Sequence, residues 1–164
     1  MRRADTEMSD QDTKALLERG FVGRLATIGE NGWPYVIPIL YVVMDNEIWF
    51  HHTMAKGRLT DNLAFSQRVC FEVDEPYEVF RSGATACATS LACQSAVVFG
   101  RMREMKDEEL KRRVFDLFMQ KYASQLGDIP EYGPTFAKTA LYAMTMSVVT
   151  GKQKTDPRRT PEVK

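Results

Sequence analysis

The sequence predicts a mainly β chain, a six-stranded antiparallel barrel, closed or partly split, with flanking helices. Three observations point there: short runs rich in Val, Ile and Tyr alternate with tight-turn signals, one long amphipathic helix comes late, and no internal repeat is present. A chain of 164 residues, 44% hydrophobic and 27% charged, suffices for a single domain with its own core, expected over residues 1–151.

In order, Ser9 or Asp10 caps a short helix with apolar positions Leu16 and Leu17 and a stop at Gly20. Phe21 to Ile28 reads as a strand, Glu30-Asn31-Gly32 carries the Asn-Gly signal of a type I′ turn, and Trp33 to Met44 is one long strand-like run. A second tight turn at Asp45-Asn46 leads into Glu47 to His52, so three antiparallel strands meander. Leu59 to Phe65 has helical spacing with Asn62 facing out; Arg68 to Asp74 returns to strand, with Val69, Phe71 and Val73 on one face and Cys70 on the other. Arg81 to Ala92, rich in Ala, Ser and Thr, reads as either strand or loop. Gln94 to Glu104 is a strand in which Gly100 marks a bulge or bend. The long helix runs from about Glu108 to Leu126 with the stripe Leu110, Val114, Leu117, Phe118 and Tyr122, and stops at Gly127. A last strand covers Ala140 to Val149, and the charged, Pro-containing residues 152–164 are expected to form a disordered tail.

Composition removes several functional classes. With 22 basic and 22 acidic residues there is no net field to draw the protein onto nucleic acid or an anionic membrane, and neither is expected as a partner. Cys70, Cys87 and Cys93 form no CxxC or Cys/His cluster at metal-ligand spacing, so neither a disulfide framework nor a metal site is expected. After Met-Arg-Arg the chain continues with Asp5, Glu7, Asp10 and Asp12 instead of an apolar run, and no stretch approaches a membrane span; a cytoplasmic protein with reduced thiols is the expectation.

The stretch with the densest chemistry is Trp49 to Arg58, where an apolar strand gives way to a basic loop. Lys56 and Arg58 supply charge, Thr53 a hydroxyl, and Gly57 a position where backbone N–H groups can approach an anion closely. A phosphate grip is one reading of this loop. A surface turn with merely solvated charges is the other.

The sequence from Gly23 to Gly100 resembles the pyridoxamine 5'-phosphate oxidase-like, FMN-binding split-barrel proteins, and within them the nitroimidazole-resistance branch. The matching pieces are Gly23-Arg24-Leu25-Ala26-Thr27, Asn31-Gly32-Trp33-Pro34-Tyr35-Val36-Ile37-Pro38, Phe50-His51 with Gly57-Arg58, Asp61-Asn62-Leu63, Val69 to Asp74, Ser95 to Gly100 and the closing Thr150-Gly151-Lys152. Their order and spacing over most of the chain carry the resemblance; no single piece does.

The resemblance implies an FMN flavoprotein, an oxidoreductase reducing a small substrate, with nitroaromatics among the candidates. The alternative is a flavin- or haem-binding module without turnover, and a deazaflavin could replace FMN. It implies that Ile37, Pro38, Ile39, Leu40 and Tyr41 run along the flavin ring, that Thr53, Lys56 and Arg58 hold the phosphate, and that Gln94 and Ser95 approach the phosphate or ring edge. His51 matches the histidine that ends the third strand near the flavin, and is the one candidate for a catalytic role; His52 has no consistent counterpart. Relatives often carry a second cation directly after the arginine, where this chain has Leu59, and Lys56 stands on the other side of Gly57 in its place. A homodimer with FMN between subunits is implied, and exposed Trp33, Tyr35 and Trp49 would favour pairing. The substrate-phosphate residues of true pyridoxamine-phosphate oxidases have no match in Ala140 to Lys164, which argues against vitamin B6 oxidation.

Overall fold

Two turns fix the first half of the sheet. At Asp45 and Asn46 both φ angles are positive, 54° and 58°, which makes the type I′ turn that joins β3 (Val42–Met44) to β4 (Glu47–Thr53). The Asn31-Gly32 turn differs from expectation. Gly32 alone is left-handed there, with φ of 77°; its N–H bonds to Gly29 O at 2.9 Å, and Gly29 N–H reaches Trp33 O at 3.3 Å. That is a three-residue loop, a type I turn closed by a left-handed glycine, and it joins β1 (Gly23–Ile28) to β2 (Pro34–Ile39). The structure is a computed structural model that describes residues 4–127 and 131–158.

The remaining elements are α1 (Asp10–Arg19), α2 (Arg58–Phe65), β5 (Arg68–Arg81), β6 (Thr89–Met105), α3 (Glu108–Tyr122), β7 (Thr139–Thr145) and β8 (Val148–Lys154). Helix α1 starts as its sequence dictates: Ser9 Oγ accepts from the Asp12 N–H, and the Gly20 N–H closes the helix onto Leu16 O. Helix α3 is capped by Asp107 and ends at Tyr122, a turn before the expected Leu126, which is 77% exposed.

All pairings among the strands are antiparallel, in the order β2-β1-β5-β6-β7-β4-β3, with β8 on β6. Strands β2 and β3 stand at opposite ends of this path yet follow one another in the chain, so the bend at Leu40 and Tyr41 joins the ends and closes the barrel. The single run expected over Trp33 to Met44 is therefore broken, because Tyr41 turns inward and is fully buried. Counting bent β2–β3 as one strand and setting β8 aside gives the six barrel strands expected. The last strand is likewise divided, at Met146 and Ser147. Residues 152–154, expected in the tail, continue β8 and pair with Ser95, Gln94 and Cys93; residues 159–164 of that tail lie outside the described residues. The ambiguous stretch 81–92 completes a long β5–β6 hairpin whose tip carries a short 3-10 turn, Ala86–Ala88.

Strand β6 pairs with β5 along one edge, and along the other with β8 over Cys93–Phe99 and with β7 over Met102–Met105. The change falls at Gly100, where the Thr145 carbonyl passes so close that a Cβ would overlap it. The core holds Phe50, Phe71, Leu25, Ile48, Met102 and Met144, with Leu16 and Leu17 of α1 plugging one end. Trp49, expected to be exposed, is 3% exposed and donates its Nε1–H to Met44 O. Asn62, expected to face out, is buried and bonds Thr27 Oγ1 at 2.9 Å, pinning α2 to β1.

Tyr41 links these parts. Its ring meets Phe71 edge-on at 4.7 Å, its hydroxyl donates to Leu17 O at 2.7 Å, and its own carbonyl accepts from Tyr122 Oη at 2.7 Å and Lys121 Nζ at 3.1 Å. Burial holds the Tyr41 phenol protonated well beyond its ordinary range, and pulls the Lys121 amine down to about 8. Tyr41→Phe leaves a helix-end carbonyl without its donor and is expected to cost about 1–3 kcal/mol in urea unfolding. Gly100→Ala, which drives a methyl into backbone, is expected to cost at least about 2 kcal/mol in the same measurement.

Candidate functional site

The basic loop between β4 and α2 folds as a helix entrance. Asp61 N–H bonds Gly57 O at 3.0 Å, and Thr60 Oγ1 both accepts from the Gly57 N–H at 2.9 Å and donates to Gly57 O at 2.7 Å. The cap is a glycine, so no side chain meets the next amides: those of Arg58, Leu59 and Thr60 have no acceptor among the described residues. Gly57 itself is extended, and a Cβ there would meet open space. Its own N–H is taken by Thr60, and the free donors are the three amides that follow it.

Around these amides stand the cations read from the sequence. Arg58 lies over the Tyr35 ring, 5.6 Å from its centroid, and makes no ion pair among the described residues. Lys56 is 87% exposed and 3.9 Å from Asp61, a contact that leaves it swinging in solvent. Thr53 Oγ1 accepts from the Ala55 N–H at 3.1 Å and keeps its proton to donate. Arg58 also borders an open depression with Trp33, Asn31 and Asn62. Helix amides, a stacked guanidinium and a mobile ammonium make a set of donors that suits a phosphate.

Strand β2 is split by alternation. Val36 (57% exposed), Pro38 and Leu40 point outward, Ile37 is half-buried, and Ile39 is in the core. Tyr41 is committed on every side, since its N–H is also met by Tyr122 Oη at 3.0 Å. Val36, Pro38 and Leu40 can therefore meet a ring with their side chains, whereas Tyr41 holds the barrel. Val36 stands outside the run Ile37 to Tyr41 expected along the ring.

His51 and His52 face opposite ways, as alternation requires. The His51 ring sits against Phe115 and Phe118 of α3, at 4.7 and 4.8 Å, and burial pushes its pKa down, with smaller contributions from His52 and Lys111. His52 Nδ1 lies 3.2 Å from Thr53 O.

Gln94 and Ser95 lie elsewhere. Gln94 sits in a network with Arg19, Tyr77 and Gln153, and Ser95 stands opposite Asp74 and Lys152. Tyr35 and Thr27, near Arg58, neighbour the row Ala26–Cys70–Phe99. Ser95 is four residues beyond Phe99, about 13 Å along the strand before any crossing of the sheet. The fold of the chain does not bring Gln94 or Ser95 to the basic loop.

The outer face of the sheet shows what the sequence did not. Val36, Ala26, Cys70, Phe99 and Val148 stand directly opposite one another across five strands, and Ile28 adjoins them. Ile28, Val36, Phe99 and Val148 are 40–57% exposed. The next row holds Arg24, whose Nη1 lies 2.5 Å from Asp74 Oδ1 and 3.5 Å from Glu72; burial raises the Glu72 pKa while Arg24 opposes the rise. Among the described residues no helix is long and apolar enough to cross a membrane, and the three cysteines are free.

Nothing among curated proteins matches the chain. Solved structures do. A candidate 5-nitroimidazole antibiotic resistance protein of Bacteroides thetaiotaomicron is similar at TM-score 0.75, with 18% identity over 90% of this chain and 85% of that one. The flavocytochrome Anf3 of Azotobacter vinelandii is similar at 0.78, with 20% identity over 94% and 71%. The FAD and haem binding protein of Mycobacterium smegmatis is similar at 0.71, with 18% identity over 89% and 71%. At these identities the likeness is one of fold. The model of the pyridoxamine 5'-phosphate oxidase family matches residues 9–153, and the chain belongs to that family.

Proposed function

We propose that the protein binds FMN and serves as a flavin-dependent oxidoreductase for a small substrate, nitroaromatic compounds being the first class to try. The observation that carries this reading is the entrance of α2, where three amides without acceptors, that of Arg58 among them, lie at the end of a loop that also carries Lys56 and Thr53. A terminal phosphate would be held there, and the apolar outer surface of Val36, Pro38 and Leu40 would lie under the ring. Family membership, and similar folds in proteins named for FAD, haem and F420, support a flavin-type group. Bound flavin would supply hydride and single-electron chemistry; the chain would supply grip and orientation.

The reading includes a homodimer in the cytoplasm. The five-strand apolar row is the kind of contiguous patch that a partner covers, and a twofold contact would bring Gln94 and Ser95 of a second copy toward the Arg58 loop that they do not reach within one protomer.

Absorption spectra test the cofactor, taken on the purified protein as isolated and again after FMN is added and excess removed. Flavin bands are expected, and in Arg58→Ala affinity should fall at least about tenfold, the worth of one charge-assisted contact of about 1.5–3 kcal/mol. A Soret band would move the reading to haem, and no chromophore in either state would end it. Bands that no donor bleaches would leave a flavin carrier without turnover. Light scattering tests the assembly: a dimer is expected, with Phe99→Lys shifting it to monomer and lowering FMN affinity together. A monomeric wild type would refute it.

A further inference from the structure

On the opposite surface of the sheet, facing the barrel interior, Phe50 of β4 stands opposite Tyr142 of β7, and Tyr142 stands opposite Glu104 of β6. Beside Tyr142 the same face carries Ala140, opposite His52. The missing bulk at Ala140 leaves a cleft of about 310 Å³, roofed by Leu63 and Ala64 of α2 and floored by Met102. That is the lower end of the range for small-molecule sites, roughly 300–1,000 Å³.

Two groups in the cleft lack partners. Tyr142 is only 6% exposed and its ring stacks on Phe50 at 5.2 Å, yet its hydroxyl makes no hydrogen bond among the described residues. The hydroxyl is open to the cleft instead of sealed in the core, and is available to a ligand. Glu104, exposed at the mouth, makes no ion pair among the described residues; its neighbour Arg103 is held in a bidentate pair with Glu47, both contacts 2.7 Å. Burial first, and the Glu104 charge second, push the Tyr142 phenol up, which agrees with the two groups facing each other. Arg103 also lines the cleft but is neutralised by Glu47, so the Glu104 carboxylate sets the sign there, and a carboxylate beside a free phenol attracts an ammonium.

We propose that this cleft binds a small organic cation with an aromatic or alkyl body, its ammonium between Glu104 and the Tyr142 hydroxyl and its body over Ala140 against Met102 and Leu63. Glu104, Tyr142 and Ala140 belong to none of the groups assigned to the flavin, although Thr60 of the α2 entrance also borders the cleft, so the amine is tested through these three residues and not through the phosphate grip. An amine held there could be a substrate or an effector.

Isothermal titration calorimetry of the full chain with phenethylamine, beside phenylpropionate as the carboxylate counterpart, tests it. Saturable binding of the amine and none of the acid are expected. Glu104→Gln, a surface change that leaves the fold intact, should weaken the amine at least about tenfold. Tyr142→Phe should weaken it several-fold, and Ala140→Leu should abolish it while circular dichroism stays that of the wild type. No saturable binding, equal binding of amine and acid, or unchanged affinity in Glu104→Gln would each overturn the proposal and leave the cleft a solvent-filled gap.

Discussion

The barrel depends on a single bend. At Leu40 and Tyr41 the chain leaves one half of the sheet and enters the other, and a bend in continuous backbone costs the ladder bonds of the residues that make it. Tyr41 recovers them with side chains from elsewhere: its N–H and its carbonyl are both satisfied by Tyr122, and Lys121 adds a second donor to the carbonyl. The same residue caps the end of α1 through Leu17 O and fills the core against Phe71. Both long helices and both halves of the sheet therefore have their relative positions set around one side chain.

Local chemistry made parts of this arrangement legible in the sequence. Ser9 and Gly20 bound α1 because caps are decided within a few residues, and Val69, Phe71 and Val73 mark the buried face of β5 because alternation is a property of the strand itself. The break at Leu40 was not legible, since an unbroken apolar run looks the same whether it pairs straight or bends into a core. Asn31-Gly32 carried the right turn residues for the wrong geometry: the hydrogen bond from Gly29 to Trp33 spans three residues, not two. Asn62 and Trp49 were misplaced because the partner that buries each, Thr27 or the Met44 carbonyl, is chosen by packing.

The site divides in the same way. Thr53, Lys56 and Arg58 all lie on the short connection between β4 and the first turn of α2, so their grouping could be read directly. Gln94, Ser95 and Tyr41 took their expected roles from resemblance, and the fold puts the first two on β6 away from the basic loop and the third at the barrel bend. Tyr142 and Glu104 could not be paired from sequence, because their opposition follows from the register of β6 on β7, set where Gly100 lets the Thr145 carbonyl cross. On the outer surface, an apolar row lies next to an Arg24–Asp74–Glu72 row, a juxtaposition that alternation within each strand could not show because it depends on the register across five strands.

The seam between β4 and β7 carries a kinetic meaning. It joins residues 47–53 to residues 139–145, with both α2 and α3 and the long β5–β6 hairpin lying between. Contacts so far apart in sequence wait for the chain between them to become ordered, whereas the β1–β2, β3–β4 and β5–β6 pairings need only short loops to close. The hairpins are thus the early products of folding and the seam a late one. A chain still emerging during synthesis, with β7 not yet made, holds an open sheet whose β4 edge awaits its partner, and the barrel becomes a barrel only when nearly all of it has been made.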